Sequence, residues 1–405
     1  MNKFMRLRTI FSLLLPLVLL NACSVAVTPG PTTPPAASPT ATAAANSPTA
    51  GSPLLTGTLV YVEDSQLHRF DLSTGSDSII DGAQKFLAAE GTGAYVSLSP
   101  NHRYLAFSGL DPQYGCSTFH PEQPCTLTGP SGFFLVDSQT SLVTLIAPYA
   151  LDELSWAPAG AQFVFASPDF LEVPYRTSLK ISSPQGSEPF LLTSGEHVDT
   201  HPAWSPTGRW IAFLREPSPA PDQPECITAS PAYNTCVDPA LYIIQPDGSE
   251  LRVILDHVRV LNSAYNAPAW SPDGKNLVVV SGENASALSL VEIASGKLTV
   301  VDTGAPVTEI AGWSADGSML LFSRGEKGSQ QVLFLDTNTL AQTVISRNNS
   351  DDAHPVWSPD GKAVAYLTRD ALGNRALVIH SLLDPGQPDQ VIKQITPLMR
   401  FLWVE

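Results

Sequence analysis

One five-residue string is written six times in this chain. Trp357-Ser358-Pro359-Asp360-Gly361 recurs intact as Trp270-Ser271-Pro272-Asp273-Gly274. Looser copies are Trp204-Ser205-Pro206-Thr207-Gly208, Trp313-Ser314-Ala315-Asp316-Gly317 and Trp156-Ala157-Pro158-Ala159-Gly160, with a worn copy at Leu98-Ser99-Pro100-Asn101-His102. Successive starts lie 58, 48, 66, 43 and 44 residues apart. Self-similarity at this period restricts the chain to a repeat architecture with one supersecondary unit per copy.

The string reads as a tight turn. Pro suits the second position of a type I turn, Asp or Asn the third, and Gly a position of positive φ. Apolar runs flank it, as in Leu277-Val278-Val279-Val280, so each copy joins two strands of a hairpin. The Trp closes the first strand and is large enough to pack against a neighbouring repeat. After the copy at 270 the pattern continues as strands over 277–280, 288–293 and 297–301. At the next copy the strands read 309–313, 319–322, 331–335 and 342–345. Four short antiparallel strands per unit make a propeller blade, and no long amphipathic helix pattern interrupts them.

The two ends of the repeat region complete each other. Strands over 58–62, 66–71 and 78–80 have no turn string before them, and 398–404 reads as a first strand that stops where its turn would begin. Joined, they form one further blade, which pairs two otherwise exposed edges. The expected fold is an all-β, seven-bladed β-propeller closed by the N-terminal strands and a C-terminal strand; six blades result if the N-terminal strands stay outside the ring. The turn strings, with His201-Pro202-Ala203 or His354-Pro355-Val356 ahead of the Trp, resemble the repeats of TolB-type propellers over most of residues 94–368. That resemblance implies a propeller and leaves function open, since such folds serve as binding platforms, gates and enzymes. The α/β domain that precedes the propeller in TolB is replaced here by a low-complexity segment. The Gly-x-Ser-x-Gly of the prolyl-oligopeptidase relatives is missing from this sequence.

Residues 1–22 read as a secretory signal: Lys3, Arg6 and Arg8, then an apolar stretch over 10–20, too short to span a bilayer as a mature helix. It ends in Leu20-Asn21-Ala22-Cys23, which resembles the bacterial lipoprotein box and makes Cys23 the expected lipidated first residue. Residues 24–55 are almost entirely Pro, Thr, Ala and Ser and read, behind Cys23, as a tether reaching about 100 Å when extended. Residues 56–405 are the expected propeller. Losing the signal takes the net charge from −16 to −19. So acidic a chain without a basic cluster is a poor binder of nucleic acid.

Four cysteines remain after Cys23, in two close pairs, and an oxidising compartment predicts the disulfides Cys116–Cys125 and Cys226–Cys236. Both pairs lie in long connections after second strands, 109–131 and 215–239, with a third long one at 167–177 between them. These carry Tyr114, Phe119, His120, Phe170, Tyr175 and Tyr233, the expected binding residues, because rigid aromatics give contact area at low entropic cost. The expected function is a binding scaffold in the bacterial cell envelope, lipid-anchored to the cell or outer membrane, with a protein or glycan partner and no catalytic residue or cofactor. The alternative is a lyase, hydrolase or small-ligand sensor at the pore mouth. There Asp199, His201, Asp352 and His354 are weak candidates to hold a divalent cation, set against a plain role in hydrogen-bonding the local loops.

Overall fold

The turn string folds the same way at each copy. Ser271 donates its hydroxyl to Asp273 (2.7 Å) and accepts the Asn276 N–H (2.9 Å), while Asp273 accepts the Lys275 N–H (3.0 Å). Ser314 with Asp316, and Ser358 with Asp360, repeat the pattern. In the worn copy Asn101 replaces the Asp, and His102 takes the positive φ (57°) that Gly274 takes in the intact one (68°). The turn aspartates are therefore structural, as their sequence context indicates.

The computed structural model describes residues 56–63, 66–83, 95–110, 131–148, 151–169, 176–186, 188–216, 239–256, 267–282, 285–326, 328–346, 351–369, 373–395 and 401–405. Strands and turns account for them, with no α-helix among the described residues. The first strands are β1 (Thr58–Glu63), β2 (Gln66–Asp71) and β3 (Ser76–Ile79). Next come β4 (Val96–Leu98), β5 (Tyr104–Leu110), β6 (Ser131–Asp137) and β7 (Val143–Pro148), then β8 (Leu151–Trp156), β9 (Phe163–Asp169), β10 (Arg176–Ser182) and β11 (Phe190–Leu191). They are followed by β12 (Val198–Trp204), β13 (Ile211–Glu216), β14 (Ala240–Ile244) and β15 (Arg252–Leu255), and by β16 (Ala269–Trp270), β17 (Asn276–Ser281), β18 (Ala287–Glu292) and β19 (Leu298–Asp302). The last are β20 (Val307–Trp313), β21 (Met319–Arg324), β22 (Gln331–Asp336), β23 (Gln342–Val344), β24 (Ala353–Trp357), β25 (Ala363–Arg369), β26 (Arg375–Ser381), β27 (Gln390–Ile395) and β28 (Phe401–Val404).

Pairing is an antiparallel meander in consecutive fours. β4–β7, β16–β19, β20–β23 and β24–β27 each form one sheet, and β8–β11 joins β12–β15 through a single parallel bridge, Thr177 with Val198. The remaining sheet has the order β28-β1-β2-β3, with Thr58 opposite Val404 and Tyr61 opposite Phe401. The two ends of the repeat region thus share one sheet, as the sequence indicates. Of the strand expected at 398–404, the described residues Phe401–Val404 form β28, and 398–400 lie outside the described residues.

The core lies between sheets. Leu277 and Val279 pack with Ala212 and Leu241 on one side, while Val278 and Val280 pack with Leu320 and Phe322 on the other. A strand buried on both faces needs an unbroken apolar run, which is why these segments do not alternate. In the β28-β1-β2-β3 sheet, Leu59 and Tyr61 meet Ala365 and Ile379, and Val60 and Leu67 meet Phe107 and Phe134. Each such side chain contributes about 1.5–3 kcal/mol when fully buried.

The tryptophans lock sheet to sheet. Trp270 donates its indole N–H to the Ala203 carbonyl (2.9 Å), Trp313 to Ala269 (3.1 Å) and Trp357 to Gly312 (3.2 Å). Trp156 donates to the Ser97 hydroxyl (3.2 Å). Each acceptor is on the first strand of the preceding sheet, one residue before its own turn string. Trp204 instead donates within its own turn, to Gly208.

Candidate functional site

The meander sorts the connections. Those after first and third strands emerge on one face; those after second strands and those leading into first strands emerge on the other. The first face carries the regular turns. The second carries the long connections after β5, β9 and β13, whose flanking strands belong to three four-strand units consecutive in the chain and packed on one another. Tyr114, Phe119, His120, Phe170, Tyr175 and Tyr233 lie outside the described residues, as do Cys23 and the pairs Cys116/Cys125 and Cys226/Cys236.

The weak metal candidates are described. Asp199 is fully buried and held by Arg215 in a two-point ion pair, Nε to Oδ1 at 2.6 Å and Nη2 to Oδ2 at 2.8 Å. Such a carboxylate is committed to its guanidinium. His201 and His354 each sit at a bulge in their strand, with φ of 52° and 53°. Non-glycine residues rarely adopt that conformation, and it re-aims a side chain out of the strand pattern. His354 pairs through Nδ1 with Glu309 Oε2 (2.9 Å), linking β24 to β20. Both ring nitrogens of His201 are buried without a hydrogen-bond partner. Asp352 is buried beside His354.

These four residues do not gather into a ligand set. Among the described residues one trio of potential ligands converges within 4.8 Å: Glu63, His68 and Asp77. The ammonium of Lys393 bridges its two carboxylates, at 2.6 Å from Glu63 and 2.7 Å from Asp77, and lies 2.7 Å from the Tyr61 hydroxyl. Burial alone would raise the Asp77 carboxyl, but the hydrogen bonds from Lys393, Tyr61 and His68 outweigh it and hold the pKa below the ordinary value. This cluster clasps the outer strand β27 to the neighbouring sheet. Sequence reasoning passed over it because Lys393 lies more than 300 residues from the carboxylates it joins.

A cavity of about 300 Å³ opens beside the His354–Glu309 pair, between the β20–β23 and β24–β27 sheets. Thr308, Ser323, Gln330, Asp351, Arg369 and Arg375 contribute to its wall. Asp351 accepts the Gly328 N–H (2.9 Å), and its other oxygen stands 3.9 Å from Arg369 Nε. Neither arginine stood out in the sequence. A groove of about 680 Å³ on the opposite face is walled by the turn strings at 271–273 and 315–317.

Residues 237–390 match the family described as the TolB beta propeller domain. An uncharacterized peptidase, YuxL of Bacillus subtilis (strain 168), is 31% identical over 185 residues, which is 45% of this chain and only 23% of that protein. Among solved structures, the β-propeller domain of the trilobed protease from Pyrococcus furiosus aligns at a TM-score of 0.55 with 13% identity, covering 85% of this chain and 97% of that one. An oligogalacturonate lyase in complex with manganese aligns at 0.54 with 15% identity, covering 78% and 82%. At these identities the structural likeness speaks for the fold alone. The family match, the turn strings and the sheet-on-sheet packing agree: this chain carries a TolB-like β-propeller.

Proposed function

We propose that this chain is an extracytoplasmic, lipid-anchored propeller of seven blades that binds a protein or glycan partner in the cell envelope. Cys23 carries the anchor, and residues 24–55 hold the propeller clear of the membrane. The seven-blade count is supported by seven separate apolar cores, each shared by two successive four-strand units. The one running between β1–β2 and β5–β6 brings the series back to its start.

The observation that carries the binding reading is the placement of the long connections. They leave three consecutive four-strand units on one face, while every described turn string sits on the other. Aromatic connections on a rigid propeller scaffold suit capture of a large partner. On the same face the Asp199 carboxylate is committed to Arg215, which weighs against a metal-dependent enzyme built on that residue.

Deleting 112–128 and 217–237 tests the reading. Passing envelope extract and secreted polymer over tethered 56–405 should yield a partner held by the intact form and lost by the deleted one, with the β-sheet circular dichroism unchanged. Capture that survives both deletions overturns the assignment. Replacing Cys23 with Ser should move the full-length protein from the membrane fraction to the soluble one.

A further inference from the structure

We infer that the cavity between the β20–β23 and β24–β27 sheets is a binding site for a small carboxylate, held by Arg369 and Arg375. This inference does not depend on the partner proposed for the long connections.

Arg369 and Arg375 are direct cross-strand partners on β25 and β26. Like charges placed opposite each other destabilise a sheet unless a counter-charge stands between them. Such a pair is out of character in a chain with 22 basic and 38 acidic residues. Both arginines line the same cavity. The nearby carboxylate of Asp351 does not close the gap. It lies 3.9 Å from Arg369 Nε, beyond hydrogen-bond range, and that Nε is buried with no hydrogen-bond partner. A buried donor left unbonded is unfavourable.

The contrast with Arg215 gives the arrangement its meaning. On the same face, three fours earlier in the meander, Arg215 meets Asp199 with both oxygens engaged at 2.6 and 2.8 Å. Arg369 comes one position later along its strand, beyond the residue that corresponds to Arg215, and faces the cavity. A guanidinium presents a planar fork that fits a carboxylate at two points. Glu309 is engaged by His354, and Asp351 by the Gly328 N–H, so neither competes fully for the arginines. Thr308 and Ser323, whose hydroxyls bond each other at 2.8 Å, and Gln330 make the rest of the wall polar. The volume, about 300 Å³, admits a small acid rather than a polymer.

The test uses acetate as the minimal carboxylate. The arginine Nε–Hε resonances of the full folded domain are followed by NMR while sodium acetate replaces sodium chloride at constant ionic strength. The Arg369 resonance should shift saturably with acetate, and in Arg375→Gln saturation should need about tenfold more acetate, the loss of one charge-assisted contact. Arg375→Gln should be as thermally stable as the parent, or more so without ligand, because the Arg–Arg repulsion is relieved; a clear loss of stability would instead make the pair structural and overturn the proposal. No saturable shift, or the same shift with chloride alone, overturns it as well. Inorganic phosphate saturating at lower concentration than acetate overturns the carboxylate assignment in favour of an oxyanion site.

Discussion

Trp270 reaches out of its own sheet and donates its indole N–H to the backbone carbonyl of Ala203, 67 residues away, at 2.9 Å. Ala203 immediately precedes the Trp of the previous copy, so this turn string is tied to the one before it, as are those headed by Trp156, Trp313 and Trp357. The repeat unit is thus defined by an inter-sheet contact as well as by its own hairpin.

Trp270→Phe keeps an aromatic ring in the core, loses the second ring of the indole, and removes the donor to the Ala203 carbonyl. It should cost about 1–2 kcal/mol in chemical denaturation, the range for leaving a buried acceptor unbonded. Trp270→Ala should cost about 3–5 kcal/mol, because it also empties a core position. A denaturation midpoint for the Phe variant equal to the parent's would show that the indole N–H is not a tie.

The Asp199–Arg215 pair is exposed by only 1% and 11%. Arg215→Met leaves a buried, uncompensated carboxylate and should lower stability by about 3–5 kcal/mol. Adding Asp199→Asn should restore part of that loss. A double variant no more stable than Arg215→Met would mean that packing, and not charge, sets the penalty.

The Lys393 clasp gives the alkaline limb of the stability curve. Burial alone would lower the Lys393 pKa, but its hydrogen bonds to Asp77, Glu63 and Tyr61 raise it; Tyr61 is raised chiefly by burial. A group raised on folding stabilises fully below its unfolded value, here 10.5 for Lys and 10.0 for Tyr, and loses that contribution as pH climbs through the folded value. Stability should therefore hold below pH 10.0 and fall above it. Lys393→Met should start about 2 kcal/mol lower at neutral pH and fall less steeply. Parallel alkaline limbs for the two proteins would remove the clasp from the account.

The turn aspartates act at the other end of the scale. The Ser314 hydroxyl, then the Ser318 N–H and hydroxyl, hold Asp316 down to about 2. A carboxylate depressed on folding stabilises above its unfolded value of 3.8 and loses that contribution as pH falls toward the folded one. Asp316→Asn should flatten the stability curve between 3.8 and about 2, read by denaturation at a series of pH values. An unchanged slope would mean the turn does not need the charge.

The fold was legible because its signals are local and repeated. The turn string sets the hairpin, the Trp at its head sets the step to the next sheet, and runs such as 277–280 show burial on both faces. The site was less legible because it is assembled from register. That Asp199 is neutralised depends on Arg215 lying opposite it on β13, and that Arg369 is left open depends on a one-position shift in β25. No spacing rule marks either arginine. Lys393 meets Glu63 only because β27 and the β28-β1-β2-β3 sheet are neighbours, a relation the sequence implies for the strands and not for the side chains.

The sheet shared by the two ends is also a mechanical seam. Within the four-stranded sheets, β28 and β1 are the one neighbouring pair not consecutive along the chain. Any pull on the residues before 56 enters the propeller at Thr58, which is paired with Val404 on one side and Asp71 on the other. A load directed across the strands strains those pairs one at a time, as a zipper does, instead of all together. The indole of Trp403 closes over this end, donating to the Thr56 carbonyl at 3.2 Å, and Gly57 holds a φ of 102° where a β-carbon would strike that same ring. A propeller loaded at this end would yield there first, with its other sheets intact and ready to close again.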